Sequence, residues 1–258
     1  MSLERKLGAM QSQFYSEVSS LLSFVKDVAS SLAERSRAFR LLDLSPGDLA
    51  AWDQFFKFVS DAHHHVPRAR KKIEIRSQKL GPMLLDLART EEQKAFLAEM
   101  SLSHLVCLQE GFLKDYVRVI LCNRKELLKC NKQVSYEEVC SRDSIASLVS
   151  YLAQKEVDAM GHGSIDDWAT YFESRLNIRL QGFPGWAEIR EASYRRNLIV
   201  HNRGVTNDIY CSKTSHKKKG ELLVTDLRYV VGRAKTLLKF IRYVHKQLRT
   251  KLKLGTGK

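Results

Sequence analysis

Three long stretches of this chain repeat apolar residues every three or four positions with no proline among them. Residues 3–41 do so at Leu3, Leu7, Met10, Phe14, Val18, Leu21, Val25, Val28 and Leu32. Residues 91–130 do so from Phe96 and Met100 through Phe112, Tyr116 and Ile120, and residues 226–252 from Leu227 through Leu237, Ile241 and Leu248. Such spacing lines one side of an α-helix. The four prolines, Pro46, Pro67, Pro82 and Pro184, fall outside these stretches. The pattern predicts an all-α protein.

Local signals divide the chain further. Ser45-Pro46-Gly47-Asp48 reads as a helix start, with Ser as N-cap and Pro at the first helical position. That helix would carry Trp52, Phe55, Phe56, Phe58 and Val59 as core residues. His63-His64-His65 before Val66-Pro67 reads as a polar loop or helix end, because three adjacent histidines cannot all face one metal. Arg68 to Lys79 is a basic cluster. Gly81-Pro82 reads as a break, and Thr90-Glu91-Glu92-Gln93 as a capping box. These place a boundary near residue 90, between an N-terminal helical region (1–90) and a second helical domain (91–258). Ser135-Tyr136-Glu137-Glu138 is another capping box, and Ser164 with Asp167 at N3 caps a helix over 165–176. Gly161-His162-Gly163 is a loop whose glycines are too few to cradle a phosphate. Residues 208–224 fit a mobile loop or small hairpin, with Ile209-Tyr210 and Leu222-Leu223-Val224 separated by lysines.

Charge is distributed unevenly. The chain carries 43 basic and 29 acidic residues, a net +14. From Arg195 to the end there are 17 basic and 3 acidic residues, so the whole excess lies in the last quarter. A solvated basic surface is one reading. Affinity for a polyanion is the better one, since phosphate contacts supply sequence-independent binding to nucleic acid. The five cysteines form no C-x-x-C pair, so neither a zinc site nor any other metal or cofactor is expected. No stretch approaches the roughly eighteen uninterrupted apolar residues of a membrane span. Nor does an apolar segment follow the first residues as in a secretory signal. The expectation is a cytoplasmic protein.

The stretch with the densest chemistry is Tyr194-Arg195-Arg196-Asn197-Leu198-Ile199-Val200-His201-Asn202-Arg203-Gly204. Pro184 just inside a helix start and Gly204 just past its end bracket a predicted helix. On it Arg190, Tyr194, Asn197 and His201 share one side, while Trp186, Ile189, Ala192 and Ile199 would face a core. Arg196 sits about 140° round from His201, and its long side chain can still reach toward the imidazole. Arginine offers a permanent planar fork for phosphate oxygens. Histidine exchanges protons near neutrality.

Arg196-Asn197-Leu198-Ile199-Val200-His201 resembles the Arg-x4–6-His signature of the HEPN superfamily in its Arg-Asn form. The likeness extends from about residue 96 to the end. It implies a helical-bundle domain that dimerises and brings two motifs into one composite cleft. It also implies a metal-independent endoribonuclease, of the kind that acts as a toxin or antiviral effector, or a relative that only binds RNA or a protein partner. In the cutting form His201 moves protons, and Arg196 stabilises charge on the phosphorane oxygens. Asn197 either bonds a phosphate oxygen or orients the histidine. Arg195 is a candidate accessory residue, binding a flanking phosphate or simply exposed. Glu110, on the helix from residue 91, is a candidate for orienting the arginine. Arg203, Lys217, Lys218 and Lys219 are candidate RNA contacts. Some toxins of the family carry a tyrosine two residues after the histidine, modified by a partner nucleotidyltransferase. Arg203 stands there in this chain, which puts that route of silencing in doubt.

Overall fold

A computed structural model describes residues 2–38, 80–128, 133–161 and 163–253, with Gly47, Ala50, Asp53 and Gln54. The helix expected from Ser45, the histidine triplet, the basic cluster at 68–79, Cys130 and His162 fall outside the described residues, apart from those four positions. Among the described residues there are eight α-helices: α1 (Leu3–Ala38), α2 (Leu80–Asn123), α3 (Tyr136–Cys140), α4 (Ile145–Gly161), α5 (Ile165–Leu176), α6 (Trp186–Asn202), α7 (Asp208–Lys213) and α8 (Leu227–Lys251). Short 3₁₀ turns lie at Lys125–Leu128 and Leu180–Gly182. The described residues hold no strand beyond one isolated antiparallel bridge, Val205 with Leu222. The fold is all-α, as the periodicity predicts. None of the described helices is long and apolar enough to cross a membrane.

The periodic stretches bury most of the positions that the period selects, but Phe96 and Met100, expected on the apolar side of the second stretch, are 65% and 56% exposed. On α8, Val230, Ala234, Leu237, Ile241, Val244 and Leu248 are all buried. Their alternating steps of four and three trace a narrow seam. On α1 the buried positions are Leu7, Phe14, Val18, Val25 and Leu32.

Two expectations change. α2 begins at Leu80 and runs unbroken through Gly81-Pro82 and past residue 90. Proline is tolerated in the first turn of a helix, where its missing N–H has no intrahelical partner to lose. Thr90 is therefore no cap. It is fully buried, and its hydroxyl donates to the Asp86 carbonyl one turn back at 2.8 Å. Second, the helix expected after Ser135 is two helices. Ser135 and Glu138 do form a reciprocal capping box, but α3 lasts five residues, and Ser144 recaps α4 through the Ser147 N–H. At Ser164 the expectation holds: Asp167 N–H donates to Ser164 Oγ, and Ser164 N–H donates to Asp167 Oδ2.

Contacts group the chain into two compact units that are discontinuous in sequence. The first comprises Met1–Ser19, Leu105–Arg190 and Arg233–Lys258, and the second Ser20–His104 and Glu191–Gly232. In the first unit, aromatic rings form the centre of the core. Phe112 packs on Phe14 and Tyr116 at 4.9 and 4.2 Å between centroids, and Phe240 meets Phe183 and Trp186. In the second, Val25 and Leu32 of α1 and Met83, Leu84, Leu87, Ala98 and Leu102 of α2 are buried.

Removing the Ser164 cap by Ser164→Ala should lower stability by about 1 kcal/mol. Gln93→Ala, which would break a capping box at residue 90 were one present, should change it by less than about 0.5 kcal/mol. Urea unfolding of both variants checks the contrast.

Candidate functional site

The motif lies on the last turns of α6. The helix begins at Trp186, two residues after Pro184, so the proline occupies the preceding turn rather than the first helical position. Gly185 is where the backbone needs no side chain: a Cβ there would come within 2.7 Å of the Phe183 ring. Its carbonyl accepts from the Glu188 and Ile189 N–H groups. Two acid–base contacts then hold the first turns within the first unit. Arg190 forks onto Asp166 with Nε–Oδ1 2.7 Å and Nη2–Oδ2 2.8 Å. Glu188 accepts from Arg233 at 2.7 Å and from the Thr236 hydroxyl at 2.6 Å.

The expected polar row does not form as one open face. Arg190 is committed to Asp166, and Tyr194 is buried. Ile189 and Ala192 are buried as expected, with Leu198 and Ser193 beside them, while Trp186 and Ile199 are half-buried. What reaches the surface in the second unit is half-buried Arg196, half-buried Asn197 and exposed His201.

The acid that matters here is Glu191, a residue the sequence reading passed over. Its carboxylate takes Arg195 Nε at 2.7 Å, the Tyr210 hydroxyl at 2.6 Å and the Tyr229 hydroxyl. Arg195 also donates from Nη1 to the Val224 carbonyl, and its guanidinium lies 4.3 Å from the Tyr229 ring centroid. The Arg195 and Glu191 side chains are 14% and 19% exposed. Arg195 is thus not simply exposed; it neutralises a half-buried acid. Burial alone would raise the Glu191 carboxyl. The Arg195 charge, with the two tyrosine hydroxyls, outweighs it and holds the group below its ordinary value. Burial and the neighbouring carboxylate push the Tyr210 phenol the other way. Glu110 belongs to the first unit, not to the unit that holds the motif.

After His201 the chain turns sharply. Arg203 and Gly204 are both left-handed, at φ 51° and 74°, and the Gly204 N–H donates to the Leu198 carbonyl at 3.0 Å. Glycine takes that conformation readily, whereas arginine does so at a cost of about 1 kcal/mol. The Asn202 side chain holds the turn by donating to the Val205 carbonyl. Arg203 itself is exposed.

The lysine segment is tied at its base. Thr206, 2% exposed, exchanges backbone bonds with Glu221 and Gly220. Its hydroxyl donates to the Lys218 carbonyl at 2.7 Å and accepts from the Glu221 N–H at 2.9 Å. Leu223 N–H reaches Gly204 O. The pairing is therefore between residues 204–206 and 220–223. Ile209 and Tyr210, expected within a loop or hairpin, sit instead on α7, which Asn207 caps. Lys217, Lys218 and Lys219 are all exposed, and Lys219 pairs with Asp208 at 2.5 Å.

The second unit thus gathers Arg196, Asn197, His201, Arg203 and the lysine segment. The described residues offer no group of three His, Cys, Asp or Glu that could hold a metal ion. The cysteines among them, Cys107, Cys122, Cys140 and Cys211, are free thiols.

Glu191→Gln strips the charge from a largely buried pair and should cost about 3 kcal/mol at pH 7. Because the folded carboxyl lies below its ordinary value of 4.5, its stabilising effect is present above that pH and is lost as pH falls through the folded value. Urea unfolding between pH 7 and pH 3 should show a steeper acid loss in the parent than in the variant. Compared with known proteins, this chain matches no family model, no curated protein and no solved structure.

Proposed function

We propose that this protein is a metal-independent endoribonuclease of the HEPN type, with Arg196, Asn197 and His201 as its reacting set. The observation that carries the reading is the exposed His201 imidazole at the end of α6, in the same unit as Arg196 and the exposed lysines.

His201 takes the proton from an RNA 2′-OH. The freed oxygen attacks the adjacent phosphorus, and the 5′-oxygen leaves with a proton from a second acid. The products are a 2′,3′-cyclic phosphate and a 5′-OH. Arg196 stabilises the extra charge on the phosphorane oxygens, and Asn197 bonds a phosphate oxygen or steadies the imidazole. The second acid is the His201 of another copy, supplied by a two-fold homodimer. Proton transfer of this kind is worth roughly 10²–10⁴-fold. The setting implied is a cytoplasmic toxin or defence effector.

Incubation with RNA in EDTA should yield 2′,3′-cyclic ends, and DNA of the same sequence should survive. His201→Ala, at an exposed position, should fold normally and lose at least a hundredfold of the rate. RNA binding without His201-dependent cleavage would replace this reading with that of a non-cutting RNA-binding module. Binding has its own test. Lys217→Gln with Lys218→Gln should weaken RNA affinity and lower the slope of log K against log salt by about 1.5; an unchanged slope would take the lysine segment out of the RNA path.

A further inference from the structure

The first unit holds a second concentration of positive charge that the motif does not use. On α8, Lys235, Lys239, Arg242, Lys246 and Arg249 are all exposed, with successive steps of four, three, four and three. That spacing lines them along one side of the helix, opposite its buried seam, over about 21 Å at 1.5 Å per residue. Toward the C-terminal end the stripe borders a groove of about 550 Å³ between α1 and α8. Its lining includes Arg242, Lys246, Arg249 and Lys253, and no acid. Nearby, Glu4 meets Arg249 at 2.6 Å on the surface.

The groove is built rather than incidental. On the α1 side, the Tyr15 hydroxyl donates to the Leu238 carbonyl at 3.3 Å and accepts from Gln11 Nε2 at 3.2 Å. On the α8 side lies His245, whose Nδ1 is 2.7 Å from the hydroxyl of fully buried Tyr116. That hydroxyl is also 2.9 Å from the Leu7 carbonyl. A phenol has one proton, and a carbonyl can only accept. Both contacts are hydrogen bonds when Tyr116 donates to Leu7 and His245 Nδ1–H donates to Tyr116. The neutral imidazole then carries its lone pair on Nε2, and His245 lines the groove together with Arg242, Lys246 and Arg249. Burial and the Arg249 charge, opposed by Glu4, lower the pKa of His245 and favour that neutral form.

We propose that this groove is a binding site for the RNA sugar–phosphate backbone, separate from the motif and lysine segment of the second unit. The stripe supplies phosphate contacts at intervals of roughly 5 Å along the helix. The acceptor of His245 suits a donating 2′-OH, the group by which a protein tells RNA from DNA. The choice of RNA rests on the function proposed above; the charge pattern and groove do not.

The test uses the full chain with His201→Ala, so that binding is read without cleavage. Fluorescence anisotropy of a labelled 20-nucleotide RNA is followed from 50 to 300 mM KCl. Adding Arg242→Gln and Lys246→Gln should weaken binding about tenfold near 150 mM and lower the salt slope by about 1.5, two single-strand phosphate contacts. Lys26→Gln with Arg118→Gln removes the same charge from exposed positions outside the groove and should change affinity less than twofold. Unchanged binding by the groove variant, or an equal loss in the control, overturns the site. DNA of the same sequence should bind several-fold more weakly, and equal binding overturns the choice of RNA. Cleavage by the parent chain is scored separately, so a failure of the ribonuclease reading and a failure of the groove leave different records.

Discussion

A half-buried carboxylate, that of Glu191, governs the candidate site. Removing Glu191 from water costs several kcal/mol unless the charge is matched and its oxygens are bonded. Arg195 one turn on, with Tyr210 and Tyr229 from later in the chain, supplies both. Once positions 191 and 195 must face these partners, the roll of α6 within the second unit is set. Position 201 then falls about 120° away from position 195, and His201 is exposed while Tyr194 and Leu198 are buried. The ion pair thus aims a histidine it does not touch.

The turn after the helix has its own constraint. Two left-handed residues in succession, one of them an arginine, reverse the chain toward the Thr206–Glu221 pairing. The local cost at Arg203 is offset by the bonds that follow: Gly204 to Leu198, Asn202 to Val205, and the hydroxyl of Thr206 to Lys218. Those bonds hold the base of the lysine segment and leave its three ammonium groups at the surface.

The positive charge of the last quarter divides between the units. Arg203 and the lysine segment belong to the second, and the α8 stripe from Lys235 onward belongs to the first. Basic residues on α8 recur at the same three-and-four spacing as its apolar seam, displaced around the helix. An amphipathic pattern therefore did two jobs in one segment, and net charge alone could not separate them.

The sequence by itself determined the all-α class, the extents of α1, α5 and α8, and the caps at Ser135 and Ser164. Each depends on residues within one or two turns of one another, where periodicity and capping act directly. It also determined that the motif would ride on a helix closing near Gly204. Only the tertiary structure decided that Gly81-Pro82 opens a helix, because proline is excluded from a helix interior and not from its first turn. Only it decided the fate of the arginines. Glu191 and Arg195 stand four apart, the favoured order for a helical pair, so that contact was readable. Tyr210 and Tyr229 lie 19 and 38 residues from Glu191, and Asp166 lies 24 from Arg190. No local rule reaches that far. Pairing with partners distant in sequence is what made Arg190 and Arg195 part of the scaffold.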